Sequence, residues 1–215
     1  MQDSYKHKGM RKQLINELRQ DTRIKSEAIF EAFDAVPRHF FLDLAFVEMA
    51  YSNTAFQIGA GQTISHPKTV AFQTQLLNLK KGEKVLEIGT GSGFQTCILC
   101  HMGAKVHTIE RQKELFLKSK QIIKHFNFNP RMVYGDGFNG MPAFAPFDKI
   151  IVTCGAPDIP ISLVDQLKVE GQMVIPIGEG EQQVMKRITK VGANHLELEE
   201  FGTFKFVPML ERKAN

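Results

Sequence analysis

Gly89-Thr90-Gly91-Ser92-Gly93 follows the apolar run Val85-Leu86-Glu87-Ile88. Alternating glycines let a backbone turn tightly and lie close to a ligand. A helix starting directly after such a turn offers unpaired N–H groups. Glu110 stands 21 residues beyond Gly89, at the end of the next apolar run. A carboxylate there can accept hydrogen bonds from both hydroxyls of a ribose. Gly135-Asp136-Gly137 closes a third run. Its acid can accept from an adenine amino group, or simply shape a turn. The glycine spacing narrows the ligand: dinucleotide loops read G-x-G-x-x-G, and this loop reads G-x-G-x-G with Glu87 just before it. Upstream, Ser65-His66-Pro67 places a hydroxyl and an imidazole at a helix start. Ser65 is there either as an N-cap or as a hydrogen-bond donor in a site.

Such a site needs strands that end side by side. Residues 84–88, 105–109, 131–134, 147–153 and 172–177 read as apolar strands. Residues 182–190 and 195–207 read as two more, around a Gly192-Ala193-Asn194 turn. Helices are predicted between them at 92–102, 112–126 and 161–167. This order predicts an α/β fold with a mostly parallel central sheet of about seven strands and helices on both faces. Two helices precede it, 10–20 and 26–36, the second stopped by Pro37. A third runs from Pro67 through Leu79 to a stop at Lys81-Gly82, while 40–61 lacks strong periodicity and reads as a cap. The expected organisation is an N-terminal helical extension and cap, 1–60, on a main domain, 61–215, as one unit overall.

Composition excludes several classes. The chain has 215 residues, 43% hydrophobic and 23% charged, which is ordinary globular usage. A core of this size needs no metal or disulfide staple, and a monomer is expected. No run approaches the ~20 apolar residues of a membrane span. The polar N-terminus lacks an apolar signal core, so the expected compartment is the cytoplasm, with no membrane partner. The net charge of +4 is mild. Residues 1–25 hold seven basic and three acidic side chains without the interleaved aromatics of a nucleic-acid platform. They read as a solvated face, and no nucleic-acid partner is expected. Cys97 and Cys100 form C-x-x-C with one other cysteine in the chain, so they read as core residues rather than metal ligands.

The glycine loop with Glu87 and Glu110 resembles motif I of the S-adenosylmethionine-dependent methyltransferases, which implies their Rossmann-like fold. A narrower resemblance rests on Val36-Pro37-Arg38, Gly61-Gln62-Thr63-Ile64-Ser65 with Pro67, and Val85 to Gly93. Pro146 to Thr153, Val174-Ile175-Pro176-Ile177-Gly178 and Phe206-Val207-Pro208 join them. Over about residues 36–210 the chain resembles the protein-L-isoaspartate O-methyltransferase family. The Gln62 to Ser65 block is the part that methyltransferases in general lack.

That resemblance implies an activity. A methyl group passes from S-adenosyl-L-methionine to the α-carboxylate of L-isoaspartyl residues in damaged proteins and peptides. The ester then closes to a succinimide, and hydrolysis returns some aspartate. The resemblance also implies roles. Ser65 matches the active-site serine; apart from the resemblance, His66, Val207 and Pro208 are expected near the substrate. Gln62, Thr63 and Ile64 line the pocket. Gly89 and Thr90 lie under the methionine part, and Glu87, Gly91 and Gly93 belong to the same cofactor site. Glu110 matches the ribose ligand, Asp136 and Gly137 the adenine contacts. No metal is implied. His66, Lys68 and Cys154-Gly155-Ala156 depart from the family pattern, and Leu210 stands where some relatives place a polar cofactor contact.

The residues agree with this chemistry. A carboxylate, with an ordinary pKa near 4, is already ionised at neutral pH and needs no general base. No base–nucleophile pair is visible in the sequence. Rate must then come from alignment, which can supply roughly 7–11 kcal/mol. An extended substrate backbone is expected along 204–208 as an added strand. Two alternatives share the cofactor motifs: a small-molecule O-methyltransferase, and a nucleoside-binding module without catalysis. An NAD-dependent reductase is disfavoured by the glycine spacing.

Overall fold

Alternation along the central strands decides which side each residue covers. On strand β3 (Lys84–Ile88), Val85 faces one apolar core, while Leu86 and Ile88 face the other. Strand β6 (Phe147–Val152) splits likewise, Ile151 to the first core, Ile150 and Val152 to the second. A sheet buried on both faces is what a parallel α/β arrangement requires. The computed structural model describes residues 2–193 and 195–214; Asn194 of the predicted turn lies outside them.

The remaining sheet strands are β4 (Lys105–Glu110), β5 (Arg131–Tyr134), β7 (Leu167–Ile177), β8 (Gln183–Gly192) and β9 (His195–Phe204). Their order is β5-β4-β3-β6-β7-β8-β9. The ladders from β5 through β7 are parallel, and those joining β7, β8 and β9 are antiparallel. The chain lays down β3, β4 and β5 in one direction, then returns to place β6 on the other side of β3. That reversal opens a crevice at the carboxyl ends of β3 and β6, where open α/β sheets bind ligands.

Helices α1 (Tyr5–Arg19), α2 (Glu27–Ala35), α3 (Pro67–Leu77), α4 (Phe94–His101) and α5 (Lys113–His125) contribute to the first core. The short α6 (Ile161–Asp165) covers the second. The first core joins Leu14, Ile29 and Phe41 to Cys97 and Ile151, so the N-terminal elements pack directly on the sheet.

Several expected boundaries move, each for a local reason. The first helix begins five residues earlier than predicted, because the Ser4 hydroxyl accepts from the His7 N–H. Helix α3 ends at Leu77, where Asn78 takes the left-handed conformation (φ 47°, ψ 49°). The predicted helix at 161–167 stops at Asp165, and β7 starts at Leu167, which pairs with Phe147 ahead of a bulge. The final strand ends at Phe204 rather than 207. The segment read as an irregular cap holds two 3₁₀ turns, 38–41 and 44–49, and strand β1 (Phe56–Gly59). β1 pairs antiparallel with β2 (Gln62–Ile64), forming a hairpin that spans residue 60.

Candidate active site

The crevice holds a cavity of about 860 Å³, counting its open mouth. Its walls come from the β1–β2 hairpin, the loops after β3, β4 and β6, and residues 207–210. Gln62, Thr63, Ile64 and Ser65 line one side. The hairpin turn passes through Ala60 at φ 51°, a left-handed position that tips the following residues over the crevice. The N-cap place of α3 is taken by His66, and no side chain caps that helix. Ser65 therefore lines the cavity without capping the helix.

Gly89 turns at φ 94°, and a side chain there would stand 2.6 Å from the Thr153 hydroxyl. That hydroxyl donates to the Ile88 and Gly89 carbonyls at 3.0 and 2.7 Å. The loop after β3 is thus bolted to the end of β6 while its backbone stays open to a ligand. Thr90 shares a 2.6 Å hydrogen bond with Thr108 on β4. Gly91 also lines the cavity, while Gly93 supplies the left-handed turn that starts α4.

Glu110, 4% exposed, lines the cavity at the end of β4. Its carboxylate accepts from the Gly91 and Gln112 N–H groups, both at 2.8 Å. Burial pushes its pKa up, against the pull of those N–H donors. A carboxylate has about four lone-pair sites, so it can still accept from a hydroxyl. Gly137 also lines the cavity, with its Cα packed so that a methyl would come 2.5 Å from Ile88 Cγ2.

Other expected residues stand back from the walls. Glu87 is fully buried and is not among the lining residues. It accepts from the Thr96 hydroxyl of α4 at 2.5 Å, and burial raises its pKa to about 7. It buttresses the loop from behind. The Asp136 oxygens accept from the Phe138 and Arg212 N–H groups at 2.9 and 2.7 Å. That carboxylate ties down the C-terminal segment behind Gly137. His66 is exposed and outside the lining.

Val207 and Pro208 lie on the wall, joined by Met209 and Leu210. Gly155 N–H donates to the Val207 carbonyl at 2.8 Å, and Met209 N–H donates to the Gly155 carbonyl at 2.7 Å. Sequence reading gave no cofactor role to Gln73, Gln95, Thr153, Met209 or Leu210, all of which line the cavity. Two glutamines inside apolar helix faces were the available signal. Gln73 donates to the Val152 carbonyl at 3.0 Å. Cys154 lines the cavity too, its thiol pushed up to about 12 by burial and so held protonated. Cys97 and Cys100 are free thiols, raised by burial and inert.

Among the described lining residues there is no histidine or lysine, and the titratable side chains there are Glu110, Arg111 and Cys154. The walls offer hydroxyls, amides, backbone groups, the Glu110 carboxylate and the Arg111 guanidinium. The carboxylate is engaged by backbone N–H groups, so the set is suited to binding and orienting a ligand.

Comparison with known proteins places this arrangement. The family profile described as protein-L-isoaspartate(D-aspartate) O-methyltransferase matches residues 9–214. A protein-L-isoaspartate O-methyltransferase of Flavobacterium psychrophilum is 52% identical over 214 residues, covering 99% of this chain and 100% of that protein. Its counterpart in Christiangramia forsetii is 49% identical over the same length. A Plasmodium falciparum structure assigned as a protein-L-isoaspartate O-methyltransferase was solved with S-adenosyl-L-homocysteine. It superposes with a TM-score of 0.82 at 27% identity, covering 93% of this chain and 97% of that one. From the glycine loop, the Gln62 to Ser65 hairpin and these matches along its whole length, the chain belongs to the protein-L-isoaspartate(D-aspartate) O-methyltransferase family.

Proposed function

We infer that this chain methylates the α-carboxylate of L-isoaspartyl residues in damaged proteins and peptides, starting repair through a succinimide. The observation that carries this reading is the Gln62 to Ser65 hairpin closing over the Gly89 loop in a cavity whose described lining holds no histidine or lysine. An ionised carboxylate acceptor needs no base.

The residues fit S-adenosyl-L-methionine. A glycine crevice, an acid at the end of β4 and the tight approach at Gly137 form a cradle for an adenosine bearing a short amino-acid tail. When bound, that cofactor supplies an electrophilic methyl group. Glu110 takes the ribose hydroxyls, and the Gly137 backbone with Leu210 encloses the base. The Gly89 to Gly91 backbone holds the methionine end, with Thr90 fixed by Thr108. Gln62, Thr63 and Ile64 close the mouth and exclude water. Ser65 donates to one oxygen of the acceptor carboxylate, leaving the other aimed at the methyl group. Catalysis is alignment, with no proton to move. Val207 and Pro208 flank the substrate backbone, and His66 stands at the rim.

Residues 1–60 act as a cap on the domain 61–215. We further propose a cytoplasmic monomer with no nucleic-acid or membrane partner. In support, none of the described helices is long and apolar enough to cross a membrane. The test is methyl transfer from labelled cofactor to two matched peptides, one isoaspartyl and one aspartyl. Base-labile label on the isoaspartyl peptide alone is the expected result. Label on neither, with cofactor binding intact, would point to a small-molecule acceptor.

A further inference from the structure

Among the described residues, Arg38 is a buried cation with no carboxylate partner. Pro37 stops the helix before it, and the following 3₁₀ turn carries Arg38 inward until it is 1% exposed. Its single hydrogen bond runs from Nη2 to the Thr54 carbonyl at 3.2 Å. Nε and Nη1 are buried and bond to nothing. Arg11 makes the contrast. It is also buried, but Asp3, Asp34 and the Tyr51 hydroxyl surround it. Among the described residues no carboxylate forms an ion pair with Arg38. An unpaired buried cation costs several kcal/mol, and proteins seldom carry one without an anion to meet it.

The position of Arg38 relates its charge to the cavity. Its guanidinium carbon lies 5.3 Å from the ring centroid of Phe94, and Phe94 lines the cavity. Thr54 leads into β1 of the hairpin that carries Gln62 to Ser65. The charge also reaches His66, adding to the effect of burial in lowering its pKa. Arg38 itself falls only to about 9, so it stays protonated at neutral pH. A positive charge therefore sits behind Phe94 of the cavity wall, within electrostatic reach of His66 next to Ser65, and low-dielectric packing carries its field inward.

We propose that Arg38 is a positioning residue for the acceptor: its uncompensated charge draws the substrate carboxylate into the cavity beside Ser65. This rests on the carboxylate-methylating function inferred above. The free enzyme holds the cation without a partner, and the substrate completes the pair through the wall. Direct contact is not needed, because the effect is electrostatic and acts past Phe94.

The test is a double-mutant cycle on enzyme saturated with S-adenosyl-L-homocysteine. Arg38→Met is compared with wild type for binding two peptides, one isoaspartyl and one with the acceptor carboxylate replaced by a carboxamide. The expected result is a loss of about tenfold for the carboxylate peptide and no change for the carboxamide. Affinity for S-adenosyl-L-homocysteine stays the same, and Arg38→Lys restores most of the loss. Equal weakening of both peptides would reduce Arg38 to a packing role and overturn the proposal. Weakened S-adenosyl-L-homocysteine binding would overturn it too, by assigning the charge to the cofactor's own carboxylate. If Arg38→Met does not fold, Arg38→Gln against Arg38→Lys gives the same contrast. A wild type that fails to methylate isoaspartyl peptide removes the functional reading. A wild type that methylates, with a flat cycle, removes only the role of Arg38.

Discussion

Ser65 owes its freedom to the residue after it. Because His66 occupies the N-cap place, the serine hydroxyl makes no capping bond, and we propose that it serves a ligand. Ser65→Ala should lower kcat by about 10²-fold, the usual cost of removing one positioned donor, with S-adenosyl-L-homocysteine affinity within about twofold. Steady-state kinetics beside calorimetry checks this, and matched losses in both would return Ser65 to a structural role. Gly89→Ala should do the reverse. Its methyl would collide with the Thr153 hydroxyl, so S-adenosyl-L-homocysteine affinity should drop at least about tenfold, read by calorimetry. Glu87 gives a pH signature. Burial raises its folded pKa to about 7, above the ordinary 4.5. Between those values the folded chain keeps a proton that the unfolded chain has lost, so this residue's contribution to stability falls as pH rises. Melting curves of wild type and Glu87→Gln from pH 4.5 to 7.5 should diverge in favour of the variant, by at most about 3 kcal/mol. Parallel curves would show that the carboxylate is compensated when ionised. The glycine loop and Glu110, which line the cavity, were visible from spacing, whereas Ser65 read equally as a helix cap and stood out only by family resemblance. The burial of Glu87 and the backbone bonds of Asp136 were not, because a carboxylate's direction depends on neighbours from distant segments.

At the scale of elements, the reading succeeded where apolar runs were long and failed where they were short. The sheet strands and their helices were visible because burial on both faces writes continuous apolar runs. The β1–β2 hairpin was not, since four and three residues around a left-handed turn carry no period to detect. Yet that hairpin delivers three lining residues and leads straight into a fourth, Ser65, so the least legible element is the one that closes the site. Helix ends were misplaced for a similar reason. Asn78 stops α3 by its conformation rather than by an expected glycine or proline. Asn78→Ala should cost about 1 kcal/mol, because alanine tolerates the left-handed region less well. Thermal denaturation should show a fall of about 2–4 °C for a chain this long, and Asn78→Gly should be close to neutral.

Across the whole molecule, the cavity is assembled from parts far apart in sequence. Its walls run from Gln62 to Leu210, and the topological reversal between β3 and β6 brings them together. Ligand and fold should therefore be coupled. At about 100 times its dissociation constant, S-adenosyl-L-homocysteine should add about 2.7 kcal/mol of stability, seen as a rise in melting temperature that grows with its concentration. The C-terminal segment secures the far wall. The Ala214 carbonyl accepts from the Tyr134 hydroxyl at 2.8 Å, and Arg111 Nε donates to the Arg212 carbonyl at 3.0 Å. Deleting residues 211–215 should loosen this wall and weaken S-adenosyl-L-homocysteine binding by about tenfold in calorimetry, with the central sheet intact by circular dichroism.

That stitched tail has a consequence during folding. The hairpin and glycine loop are far in sequence from Val207 to Leu210, yet all of them wall one cavity. A chain that has built its sheet but has not docked this last wall cannot retain the nucleoside. Capacity to bind it should therefore appear with the docking of this wall and not with the sheet, so a partly folded copy does not sequester the methyl donor.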